Sequence, residues 1–254
     1  MIEFRNVSKI YGDKIALNNL SMTIDSGEIV GLIGHNGAGK STTIKSLVSV
    51  IKPDGGEILV DGQSLDFERL SIKKKIAYVA DSPDLFLRLT AHEYWNLIVS
   101  AYELDEGEQA RLDSLLDLFD FQQNRYQIIE SMSHGMRQKV FIIGALLSNP
   151  DIWVLDEPLT GLDPQAAYDL KQLMRRHAEE GNTVLFSTHV LEVAEQICDR
   201  LAILKKGHLI FFGSIDSLKN QYPGQSLESI YLNLAGRREE EQDEEKSHSD
   251  LDAD

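Results

Sequence analysis

The sequence predicts an α/β fold with a mixed, mainly parallel core sheet, an antiparallel β subdomain and an α-helical insert subdomain. Three observations predict it. The first 30 residues place apolar side chains at near-alternate positions, as half-buried strands do. Later apolar runs alternate with helical patterns, as the strands of a parallel sheet do. Between these regions, apolar residues recur every three to four positions, as on one face of a helix.

At the start of the chain, Ile2, Phe4 and Val7 form one alternating set and Leu20, Met22 and Ile24 a second. The turn signal Tyr11-Gly12-Asp13 lies between them, so an antiparallel opening is expected. Glu28 to Ile33 is a short apolar run that stops at Gly34, after which Thr43, Ile44, Leu47 and Val48 take helical spacing. The order there is strand, loop, helix.

From Thr90 to Leu118 the pattern is helical. Thr90 and Glu93 have capping-box spacing, and Leu112, Leu115, Leu116 and Phe119 share one helix face. Ile152 to Leu155 and Val184 to Ser187 are two buried-strand runs. The helix between them starts with Asp163 as cap and Pro164 as first residue. Leu201 to Leu204 and Leu209 to Phe212 flank Lys205-Lys206-Gly207-His208, a hairpin signal. The expected organisation is a main domain over 1–220 with its helical insert at about 84–150, a short C-terminal helix over 221–236, and an acidic tail over 237–254.

With 254 residues and 42% hydrophobic content, the chain can bury one large core or two modest ones. Its net charge of -16 argues against nucleic acid as a partner, because such binders carry basic surfaces. Residues 237–254 hold nine acids and three bases, so the tail is expected to be solvated and disordered. Cys198 is the sole cysteine, which excludes an internal disulfide and fits a reducing, cytoplasmic location. The segment after Met1 lacks a basic-then-apolar leader, and no stretch approaches the roughly 18 apolar residues that span a bilayer. A membrane role is therefore expected to come through a partner.

The chemistry concentrates in a few motifs. Gly34-His35-Asn36-Gly37-Ala38-Gly39-Lys40-Ser41, followed by Thr42, fits G-x-x-x-x-G-K-[ST] between a strand and a helix. Glycines let successive backbone N–H groups turn toward phosphates, and the following helix presents its positive end. Lys40 is expected to neutralise the outer phosphates and Ser41 to ligate Mg2+, which makes the fold class that of a P-loop NTPase. Ile152-Trp153-Val154-Leu155-Asp156-Glu157 is an apolar strand ending in two carboxylates. Asp156 suits Mg2+ and Glu157 suits a general base for attacking water.

Just before that strand, Ser131-Met132-Ser133-His134-Gly135-Met136-Arg137-Gln138-Lys139 is similar to the LSGGQ signature of ATP-binding cassette proteins. The chain resembles the ATP-binding subunit of an ABC transporter over residues 1 to about 220. Tyr11 matches the adenine-stacking aromatic, Leu159-Thr160-Gly161-Leu162-Asp163 the D-loop, and Thr188-His189 the switch histidine. The segment Tyr78 to Phe86, with Ser133-His134-Gly135-Met136, looks like the Ecs-type branch of bacterial exporters.

The resemblance implies catalytic roles for Glu157, His189 and Lys40, and nucleotide contacts from Tyr11, Gly34 to Thr42, Ser133, Gly135 and Asp163. It implies Mg2+ at Ser41, Asp156 and Asp81. It also implies two such subunits sandwiching ATP, each nucleotide lying between the phosphate loop of one chain and the signature of the other. A polytopic membrane permease would be driven by this closure, with the subunit peripheral at the cytoplasmic face. Two departures stand out: Asp81 occupies the usual glutamine position, and His134 and Met136 replace a glycine and a glutamine of the signature. Asp81 motivates a competing reading as a regulatory nucleotide binder. A soluble ATPase acting on nucleic acid or the ribosome would need a basic surface that this composition does not supply.

Overall fold

The computed structural model describes residues 1–81, 86–104, 107–234 and 236. Ser82 to Leu85 of the exporter-like segment and the acidic tail lie outside the described residues.

The chain opens with β1 (Ile2–Tyr11) and β2 (Lys14–Ile24), paired antiparallel across the Gly12-Asp13 turn as expected. Next come β3 (Ile29–Ile33), α1 (Lys40–Leu47), β4 (Gly55–Val60) and β5 (Gln63–Ser64). The hairpin β4–β5, absent from the sequence reading, turns at Asp61-Gly62, where both residues have positive φ. That dipeptide favours a tight hairpin. β4 pairs with β1, giving an antiparallel sheet of order β2-β1-β4-β5.

Then follow α2 (Arg69–Lys74) and β6 (Ile76–Val79). The next stretch is helical, with α3 (Ala91–Tyr102), α4 (Glu108–Leu118), two 3-10 turns, and α5 (His134–Leu147). Thr90 and Glu93 form the capping box at the start of α3, and Leu112, Leu115 and Leu116 are the buried face of α4. The remainder is β7 (Ile152–Leu155), α6 (Pro164–Glu179), β8 (Thr183–Thr188), α7 (Leu191–Ile197), β9 (Arg200–Lys205), β10 (His208–Ser214) and α8 (Ile215–Gln221). Residues 227–234 are helical again. The C-terminal helix expected from 221 thus starts at 227, because Pro223 lacks an N–H and Gly224 takes φ +78°.

The core sheet has the order β10-β9-β3-β8-β7-β6 and is parallel except at β10, the mixed sheet expected. Every residue of β3, β7 and β8 is buried, as in a sheet covered on both faces. Side chains alternate between two cores: Val154 and Leu185 pack toward β1, β2 and α1, whereas Leu155, Val184 and Phe186 pack toward α5 and α6. The consequence for function is alignment. β3, β7 and β8 run parallel, so Gly34, Asp156 and Thr188 emerge together at their carboxyl ends.

Candidate functional site

The phosphate-type loop is shaped by its glycines. Gly37 and Gly39 have φ of +83° and +115°. A Cβ on Gly34 would fall 2.6 Å from the Leu204 carbonyl oxygen, and one on Gly39 would fall 2.8 Å from that of Ala16. No larger residue fits either place without moving backbone. The Ala38 N–H donates to His35 O at 3.0 Å and the Gly207 N–H to Ala38 O at 2.9 Å, which ties the loop to the β9–β10 turn. Lys40 is buried, and its Nζ donates to Gly34 O at 2.6 Å. Gly39, at the cap of α1, offers no side-chain acceptor, so the first N–H groups of the helix are left for an anion.

Across from the loop, Asp156 is buried, and its Oδ1 accepts the Ser187 hydroxyl at 2.6 Å. Ser187 Oγ also accepts the Glu157 N–H at 2.9 Å. This contact holds Glu157 at φ +49°, a strained left-handed conformation for a non-glycine residue. Glu157 Oε1 lies 3.7 Å from Lys40 Nζ, and its Oε2 lies 2.9 Å from His189 Nδ1. The imidazole tautomer with hydrogen on Nδ1 donates to that carboxylate. Glu157 is thus oriented from three directions.

A cleft of about 270 Å³ gathers Tyr11, His35, Asn36, Gly37, Gly39, Lys40, Ser41, Thr42, Asp81 and Glu157, with Lys14 and Ala16 completing its wall. Ten of the expected site residues therefore meet. Gly34 and Ala38 are buried in the loop, and Asp156 is buried beside Ser187. His189 lines a neighbouring cleft that shares Glu157 as its wall.

Ser133, Gly135 and Asp163 are not in the cleft wall. Ser133 Oγ caps α5 by accepting the Met136 N–H at 3.3 Å. Gly135 packs on Gly161 so closely that a Cβ there would lie 2.2 Å from the Gly161 oxygen. Asp163 Oδ1 accepts the Ala166 N–H at 2.9 Å, the expected cap, and Oδ2 lies 2.7 Å from Lys139 Nζ. The Lys139 ammonium first, and the Ala166 N–H second, hold the Asp163 carboxyl below the usual carboxylate range.

The donors at the cleft suit a hard cation. Ser41 and Asp81 offer oxygen in the wall, and Asp156 keeps its second carboxylate oxygen clear of Ser187. Among the described residues no cluster of three or more acidic, His or Cys side chains could hold an ion alone.

Ser187 is the residue the sequence reading passed over, treating it only as a strand end. The signal was present: Asp156-Glu157 and Ser187-Thr188-His189 end two apolar runs, and adjacency of those runs in a parallel sheet brings Ser187 beside the carboxylates.

A glycine cradle at a strand end, facing paired carboxylates across a doubly covered parallel sheet, defines a P-loop NTPase. The profile described as ABC transporter matches residues 17–160. The Nod factor export ATP-binding protein I of Burkholderia lata is 35% identical over 233 residues, 91% of this chain and 76% of that protein. The ABC-type transporter ATP-binding protein EcsA of Bacillus subtilis is 34% identical, over 92% of this chain and 96% of that one. A solved ATP-binding subunit of an ABC transporter superposes with a TM-score of 0.87 at 36% identity, covering 92% of this chain and 99% of its own. A dimeric ATP-binding cassette in a post-hydrolysis state with ADP and Pi gives 0.76 at 30% identity, covering 85% and 99%. The chain belongs to the ABC transporter family, as one of its ATP-binding, ATP-hydrolysing subunits. Among the described residues no helix is long and apolar enough to cross a membrane.

Proposed function

We propose that this subunit powers export, working from the cytoplasmic face on a separate polytopic permease. The direction is carried over from relatives named for Nod factor export and linearmycin resistance. The observation that supports the motor reading is the placement of Glu157 against Lys40, His189 and the phosphate loop in adjoining clefts.

Tyr11 offers a half-exposed ring for the adenine, and base stacking of this kind is worth roughly 1–3 kcal/mol. Gly34 to Thr42 wrap the phosphates with backbone N–H groups, and Lys40 leaves Gly34 O to meet the outermost charge. Ser41, Asp156 and Asp81 would hold Mg2+, which supplies neutralisation of phosphate charge. Glu157 accepts the proton of the attacking water, while His189 fixes the carboxylate and faces the γ-phosphate. Ser133, Gly135 and Asp163 complete the site of a second subunit, which explains why they stand outside this chain's own cleft. ATP then closes the pair by binding the closed state better than the open one, and hydrolysis releases it.

Glu157→Gln tests the assignment. Turnover falls roughly 10²–10⁴-fold with ATP affinity kept if Glu157 is the base; unchanged turnover would refute it. Co-purification with a polytopic membrane protein from the source membrane tests the permease.

A further inference from the structure

Tyr11 and Lys14 are directly paired across the β1–β2 hairpin, so both side chains leave the same face of the ribbon. Both line the nucleotide cleft. A Cβ built on Gly37 would lie 3.9 Å from Lys14 Nζ, which sets this ammonium beside the outer turn of the phosphate loop.

The other cations nearby are committed. Lys9 donates to Asp54 at 2.9 Å and lies 5.4 Å over the Tyr11 ring, and Lys40 donates to Gly34 O and faces Glu157. The Lys14 side chain makes no hydrogen bond or ion pair with any described residue. An uncommitted ammonium held at the mouth of an anion site, on a chain of net charge -16, calls for a ligand.

We propose that Lys14 is a second nucleotide-binding cation, which contacts the phosphates nearest the nucleoside. This rests on the reading that Tyr11 stacks the adenine and the loop holds the phosphates. Lys14 shares its ribbon face with Tyr11, at the adenine end, whereas Lys40 and Glu157 mark the opposite end where the outermost phosphate reacts. An ammonium on a flexible stem binds phosphate as a point charge. The α- and β-phosphates occur in ATP and ADP alike, so the contact strengthens both and does not favour the transition state.

The test compares Lys14→Met and Lys14→Arg with the parent chain, by titration with a fluorescent ADP at low and raised salt and by steady-state ATP hydrolysis. Lys14→Met weakens ADP binding about 5- to 20-fold, the range of a partly exposed charge-assisted contact. It raises KM more than it lowers kcat, flattens the salt dependence of ADP affinity, and is largely recovered by Lys14→Arg. ADP affinity within twofold of the parent overturns the proposal, as does a fall in kcat with ADP affinity kept. Lys40→Ala separates the two readings. If it weakens ADP binding and Lys14→Met does not, the Lys14 contact fails and the nucleotide site stands; if neither weakens it, the site reading fails as well.

Discussion

The Ser187 hydroxyl donates to Asp156 Oδ1 at 2.6 Å, and the same oxygen accepts the Glu157 N–H at 2.9 Å. One side chain thus fixes both carboxylates of the strand end. It also satisfies a buried charge that would otherwise be costly. Ser187→Ala removes both bonds in a water-poor setting. The expected loss is about 1–3 kcal/mol in urea unfolding, together with a turnover reduced roughly tenfold, the cost of about 1.4 kcal/mol of misplacement. Wild-type turnover in a folded Ser187→Ala chain would show that Glu157 keeps its place without Ser187.

Gly135 and Gly161 meet backbone to backbone, and the two glycines fail differently when filled. A Cβ on Gly135 strikes the Gly161 carbonyl oxygen, so Gly135→Ala displaces the loop before α6, at about 1–3 kcal/mol by the usual cost of overpacking. A Cβ on Gly161 lies 2.5 Å from His134 Cδ2, the far end of a side chain. His134→Gly should therefore rescue much of Gly161→Ala and none of Gly135→Ala, leaving only the strain of alanine at φ +79°. Thermal melting of the four chains checks the pattern. Equal rescue of both would place the clash elsewhere.

Asp163 has a structural and a proposed functional role that substitution can separate. Asp163→Asn keeps an acceptor for the Ala166 N–H but loses the Lys139 ion pair, whereas Asp163→Ala loses both. The pair is half-exposed and worth little by itself. Asp163→Ala is thus expected to be about 1 kcal/mol less stable than Asp163→Asn, while both lower ATP turnover if the carboxylate acts across the subunit interface. Full turnover in Asp163→Asn would leave Asp163 as a helix cap alone.

Legibility in the sequence followed the range of the interactions. The phosphate loop, the Thr90–Glu93 box, the Asp163-Pro164 helix start and the runs of β7, β8, β9 and β10 are set by neighbours in sequence, and each appears within a residue or two of its expected place. The β4–β5 hairpin is an exception to this rule of range: its Asp61-Gly62 turn is a local signal, but β5 is only Gln63-Ser64, too short and polar to show as an apolar run, and β4 itself is fixed by β1, some fifty residues away. Ser187 and Lys14 acquire meaning only through pairing, with β7 in one case and across the hairpin in the other. The contact of Gly135 on Gly161 is likewise long-range, and it gives the signature glycine a packing reason that the motif alone did not supply.

His177 lines a cleft separate from that of the phosphate loop and provides a pH-dependent reporter of the fold. Its ring stacks on Trp153 at 3.9 Å, and burial pushes its pKa down to about 4, against the opposing pull of the Asp151 carbonyl. A histidine with a depressed folded pKa is protonated more readily when the chain unfolds. Its contribution is therefore complete above about pH 6.5 and is lost as pH falls toward 4. Over the fall from pH 7 to 4.5 this loss comes to about 2 kcal/mol. His177→Phe keeps an aromatic ring against Trp153 and has nothing to protonate, so its stability should decline less over that interval by about the same amount. Urea unfolding at the two pH values checks it; parallel declines in both chains would show that His177 stays accessible to protons in the folded state.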